Sequence, residues 1–116
     1  MKNKFKPAIL GIKSIIRHDY AIRIHLAIAL IVSAAGWFFN ISNIEWLVVI
    51  LCIGFVLAAE TFNSVIEKLC GLVDDRYNQR IKTIKDISAG GGLIAAIASA
   101  IAGMIIFLPK LLIILG

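Results

Sequence analysis

The sequence predicts an all-α integral membrane protein, with an N-terminal amphipathic surface helix and three transmembrane helices in a single domain over residues 1–116. Three observations carry this. The chain is 60% hydrophobic with a mean hydropathy of +0.95, well above the roughly 45–50% apolar content of soluble domains. Its uncharged runs are long and separated by polar breaks. Its Lys and Arg residues cluster on alternate sides of those runs, as the positive-inside rule requires of a multi-pass protein.

Residues 1–22 form the surface helix. Ile9, Ile12, Ile16 and Tyr20 fall on one stripe and Lys6, Lys13 and Arg17 on another, the pattern of a helix lying in the membrane interface. A helix packed on its own bundle is the alternative. The first span covers residues 23–39. Its uncharged stretch, residues 26–39, is 14 residues long, short of the about 20 needed to cross. Arg23 and His25 extend it by snorkelling at one end, and Trp37 anchors the other. Residues 40–45 are too few for anything but a helical hairpin. The second span covers residues 46–73, and a hydrophilic connection follows. The third, residues 87–108, has 22 uncharged residues closed by Pro109 and Lys110. It is rich in Gly and Ala, which lets helices approach closely in lipid.

Six basic residues lie in positions 1–25, none in the first turn, and five in positions 68–86. This places the N-terminus and the second connection in the cytoplasm and the C-terminus outside. The first long apolar run begins at Leu26 and others follow it, so no cleavable leader is expected. The net charge of +5 flanks apolar runs, which points to membrane surface and phosphate rather than to nucleic acid. Cys52 and Cys70 lack any C-x-x-C or His/Cys context and read as packing residues.

Glu60, Asn63 and Glu67 interrupt the second span at i, i+3 and i+7 and share one helix face. A carboxylate at bilayer depth costs several kcal/mol unless it meets a partner, a metal or water. The stripe therefore reads as a site, and Asp74 continues it one heptad on. Asp19 and Arg23 near the first span, and Lys85-Asp86 at the opening of the third, converge on the same side. Acidic groups there suit Mg²⁺, and basic ones suit phosphate. Blander readings exist for each. Asp19 and Arg23 are spaced for a surface ion pair. Asp86 is placed to cap the third helix. Gly90-Gly-Gly92 lacks the phosphate-loop form and reads as close helix packing. A proton or cation channel would use the same acids as an enzyme acting on a lipid headgroup.

The pattern Glu60-Thr-Phe-Asn63-Ser-Val-Ile-Glu67, followed after 17 residues by Lys85-Asp86, resembles the bacterial diacylglycerol kinase family, which includes undecaprenol kinases. The likeness extends through Arg23-Ile-His25, Ile44-Glu45-Trp46 and Phe107-Leu-Pro-Lys110, nearly the whole chain. The resemblance implies a homotrimer that uses Mg²⁺ and ATP to phosphorylate a lipid hydroxyl at the cytoplasmic interface. The acceptor it implies is diacylglycerol, giving phosphatidic acid, or undecaprenol, giving undecaprenyl phosphate. The overall pattern leans toward the Gram-positive branch, where undecaprenol is common.

Carried over by residue, the resemblance makes Glu60 the general base and Asn63 the amide that positions the reacting groups. Glu67 and Asp19 become metal ligands. Lys85 and Asp86 become the nucleotide-binding pair, joined by Tyr77, Arg76 and Asn78. Glu60, Arg23 and Ala89 become lipid contacts. The chain departs from the family pattern in having Asp19 where Glu is usual, Gly71 where Asp is common, and a short N-terminal segment.

Overall fold

The computed structural model describes residues 4–73, 76 and 78–116. They form four helices: α1 (Lys6–His18), α2 (Tyr20–Phe38), α3 (Asn43–Val73) and α4 (Gln79–Leu115). Three of these, α2, α3 and α4, are long and apolar enough to cross a membrane. At 1.5 Å per residue α3 and α4 run roughly 46 and 55 Å, more than a hydrocarbon core of about 30 Å requires. The polar first turns of α4, Gln79 to Asp86, are the part that can stand clear of it.

α1 starts with Pro7 in its first turn, where the missing N–H costs nothing. It carries Arg17 and His18 in its last turn, which suits the helix dipole. Asp19 is extended (φ −117°, ψ 112°) and separates α1 from α2, so the break precedes Tyr20 and does not fall after residue 22. Ile9, Ile12 and Ile16 are exposed.

The α2–α3 hairpin is set by local chemistry. The Ile41 N–H donates to the Gly36 carbonyl (3.1 Å) and the Asn40 N–H to that of Trp37 (3.2 Å). This is a Schellman closure with Asn40 at φ 53°, a conformation Asn tolerates better than most residues. Ser42 and Glu45 then form a reciprocal capping box. The Glu45 N–H donates to Ser42 Oγ (3.2 Å) and the Ser42 N–H to Glu45 Oε1 (2.9 Å). Glu45 Oε2 also receives Lys110 Nζ at 2.6 Å, tying the end of α4 to the start of α3.

α4 does not stop at Pro109 but continues through it. Pro109 removes the main-chain donor that would serve the Ile105 carbonyl, and Lys110 Nζ donates separately to the Ile106 carbonyl (3.2 Å). At its other end α4 begins at Gln79, capped by Asn78 Oδ1, which accepts from the N–H groups of Arg80 and Ile81. Asp86 thus lies inside the helix and caps nothing.

α3 is the central element, packing on α4 most extensively and on α2 next. Ile41, Val49 and Ile106 form a small core near the hairpin. Along the α3–α4 seam Gly92 and Ala95 are buried, and the Ser99 hydroxyl donates to the Cys52 carbonyl (3.5 Å). Most large apolar side chains face outward, Trp37, Leu51, Leu72 and Ile113 among them. That is the surface expected of helices solvated by lipid or by neighbouring protein.

Candidate active site

Three helices meet at Glu60. It lies about 26 Å along α3 from Asn43, well inside the apolar stretch, and its side chain is 16% exposed. From α2, His25 Nε2 stands 3.7 Å from Oε1. From α4, Gly92 presents bare backbone: a Cβ there would sit 2.7 Å from the same oxygen. Of the three consecutive glycines only Gly92 serves close approach. Gly90 and Gly91 have open space where a side chain would project.

The second cluster lies about one turn further along α3, beside the start of α2. Asp19 Oδ1 caps α2 by accepting from the Ile22 N–H (3.2 Å). Ser64, 5% exposed, links Asp19 to Lys68: its hydroxyl bonds the carboxylate, and Lys68 Nζ donates to its oxygen (3.3 Å). Burial pushes the Asp19 carboxyl up. The bonds from Ser64 and from the N–H groups of Ile22 and Ala21, with the Lys68 charge, outweigh it and hold the carboxyl below its ordinary value. Next to Ser64, Asn63 Oδ1 is buried with no hydrogen-bond partner among the described residues. A buried acceptor left unpaired is costly and calls for an explanation. Glu67, one turn on, is exposed.

Arg23 is not paired with Asp19. Its Nη1 donates to the Arg17 carbonyl (2.9 Å), and its guanidinium carbon lies 5.9 Å from the Tyr20 ring centre. It therefore staples α1 to α2 across the Asp19 break. Asp86 is bound by Lys82 (2.8 Å) on its own helix, and Lys85 and Ala89 are exposed on α4. Asn78 acts as the α4 cap. Arg76 is exposed. Tyr77 and Asp74 lie outside the described residues.

Two groups in these clusters carry no motif signal of their own. His25 is read from sequence as a flank of the first span and as part of the Arg23-Ile-His25 likeness, with no role assigned, and Ser64 not at all. The available cue for His25 is an ionisable group at membrane depth, which is a functional candidate by default.

An apolar groove of about 560 Å³ opens between α2, α3 and α4. His25 stands at one end and Phe107 and Leu111 at the other, with Ile28, Val56 and Ala96 between. Among the described residues no three His, Cys, Asp or Glu side chains converge on one point. Mg²⁺ does not need such a cage. It is commonly held by one or two carboxylates together with substrate phosphates, and the oxygen-only set of Asp19, Glu67 and the orphaned Asn63 Oδ1 fits that chemistry.

Fold and site together define a membrane-embedded helical protein with a carboxylate deep in its apolar spans and further polar oxygens nearer one end of the bundle. The model of the prokaryotic diacylglycerol kinase family matches residues 6–107. The chain belongs to that family and is a lipid kinase. It is 36% identical over 101 residues to an undecaprenol kinase of Bacillus subtilis, covering 87% of this chain and 82% of that one. It is 31% identical over 109 residues to a diacylglycerol kinase of Synechocystis, covering 93% of this chain and 62% of that one. Nothing supports a proton or cation channel.

Proposed function

We propose that the chain transfers the γ-phosphoryl of ATP to the hydroxyl of a membrane-embedded lipid alcohol at the cytoplasmic interface, and that this alcohol is undecaprenol. The observation that carries the reaction is Glu60: a carboxylate deep in an apolar helix, beside a groove that suits a hydrocarbon body. The preference for undecaprenol over diacylglycerol rests on the greater identity and fuller coverage of the undecaprenol kinase relative.

The lipid lies with its chain in the α2–α3–α4 groove and its hydroxyl at the His25 end. Arg23 and Ala89 border its headgroup region. Glu60 accepts the hydroxyl proton as that oxygen attacks the γ-phosphorus. The bond from phosphorus to the β–γ bridging oxygen breaks, and ADP leaves. Asn63 orients the reacting groups through its free Oδ1. Asp19 and Glu67 would hold Mg²⁺, which would supply charge neutralisation for the transferring phosphate. Lys85 and Asp86, with Arg76, Tyr77 and Asn78, border the nucleotide. Such a reaction needs positioning and charge stabilisation more than covalent chemistry.

Two further features belong to this reading. α1 lies on the membrane surface with Ile9, Ile12 and Ile16 toward lipid and Lys6, Lys13 and Arg17 toward headgroups. The chain works as a homotrimer, supported by its large outward apolar surface and by the exposure of Glu67 and Lys85 in a single copy.

The test is a lipid panel. Purified protein in mixed micelles with Mg²⁺ and ATP should phosphorylate undecaprenol faster than diacylglycerol, and Glu60→Gln should abolish both. A faster rate on diacylglycerol would reverse the choice of acceptor. Product from neither lipid would sink the reading.

A further inference from the structure

We propose that His25 is a positioning residue for the general base: it fixes the Glu60 carboxylate through Oε1 and so presents Oε2 to the lipid hydroxyl. This rests on the kinase reading of Glu60 given above.

The geometry supplies the argument. Glu60 has a flexible side chain, and a base must be held in a narrow range of positions to act. Two neighbours from two different helices bear on one oxygen. Gly92 of α4 bounds Oε1 with backbone, at the distance where a Cβ would collide. His25 of α2 faces it with Nε2 at 3.7 Å. The first contact is steric and the second electrostatic, and together they hold the same end of the carboxylate. The other oxygen is left to take the proton. His25 also lines the groove proposed for the hydrocarbon chain, so it stands where chain and hydroxyl meet.

The chemistry of the pair suits this role. A carboxylate in an apolar span needs a partner, and among the described residues no other basic side chain reaches Glu60. At 22% side-chain exposure the imidazole is largely shielded from water, so its attraction to the carboxylate is screened little. The contact is long for a direct hydrogen bond in the resting protein. Catalytic contacts of this kind commonly tighten only when substrate is bound.

The experiment uses full-length protein in mixed micelles and reads kcat and KM separately for His25→Leu and His25→Gln. Leucine keeps the groove apolar and removes the N–H donor. Glutamine returns an N–H donor on a side chain of similar reach. His25→Leu should lower kcat about tenfold or more and leave the apparent KM for ATP within about twofold, because the nucleotide residues are untouched. His25→Gln should recover most of that loss. A purely structural His25 would make kcat track the thermal midpoint of each variant, with Gln no better than Leu. Wild-type kcat in His25→Leu, or equal loss in both variants, overturns the proposal. Absence of product from the wild type would instead overturn the kinase reading itself.

Discussion

Glu60 occupies the space that a side chain on Gly92 would fill, its Oε1 lying 2.7 Å from the position of a Cβ there. The clash is with the tip of a flexible side chain, so the backbone need not move. Gly92→Ala should therefore swing the carboxylate away and leave the α3–α4 seam intact. Alanine is also the better helix former by up to about 1 kcal/mol. The expected result is a kcat lowered about tenfold with a thermal midpoint equal to or above wild type. Parallel kinetics and melting in the same detergent check it. A loss of stability without loss of kcat would show that the seam, not the carboxylate, depends on this glycine.

Asp19 caps α2 and is proposed as a Mg²⁺ ligand, and different substitutions separate the two. Asn caps a helix about as well as Asp, so Asp19→Asn should keep α2 intact. It removes the charge, and the Mg²⁺ concentration giving half-maximal activity should rise about tenfold or more. Asp19→Ala should show that defect and also lose about 1 kcal/mol of stability with the cap. The acid dependence has a definite sign. The folded-state carboxyl is held below its ordinary value, so its charge stabilises the fold at neutral pH. That contribution is complete above the unfolded pKa of about 3.9 and fades as pH falls through the lower folded value. With metal chelated, the stability gap between wild type and Asp19→Asn should narrow over that acidic range. A gap that widened there would refute the assignment.

The hairpin offers a prediction about stability alone. A Cβ on Gly36 would sit 2.9 Å from Trp46 Cη2 and 3.0 Å from Ile41 Cδ1. Unlike a carboxylate tip, the indole ring cannot bend aside within its packed cluster. Gly36→Ala should cost about 1–3 kcal/mol, while Asn40→Gly, at φ 53°, should be neutral or slightly stabilising. Thermal or denaturant unfolding in detergent reads both. Activity per folded molecule should be unchanged.

The parts legible in the sequence were those with a period or a local stop signal. The three spans follow from uncharged runs, the hairpin from the shortness of residues 40–45, and the Glu60–Asn63 face from helical spacing. Register between helices has no such signature, so neither His25 beside Glu60 nor Ser64 between Asp19 and Lys68 could be read from one chain's pattern. Local signals also misled where a tertiary contact outweighed them. Pro109 suggested an end to the third span, yet α4 runs on, with Lys110 held by Glu45. Asp19 and Arg23 had the spacing of an ion pair, but the carboxylate was drawn to the α2 N–H groups and Ser64. Asp86 looked like a cap until Asn78 proved to close the helix two turns earlier.

Gly71 is the position where a single added acid should improve the metal site. It lies one turn beyond Glu67 on α3, is exposed, and has no atom within 4 Å of where a side chain would project. Gly71→Asp therefore meets no steric barrier, and glycine is already among the poorer helix formers, so the fold should not suffer. A carboxylate one turn from Glu67 adds an oxygen ligand on the face proposed to hold Mg²⁺. Half-maximal activity should then require severalfold less Mg²⁺, with kcat at saturating Mg²⁺ unchanged. The gain should be larger in Asp19→Asn, where one acid is missing, than in wild type, because ligands of one metal are coupled. Equal gains in the two backgrounds would mean that the new acid acts as general surface charge, and raising the ionic strength would then erase them.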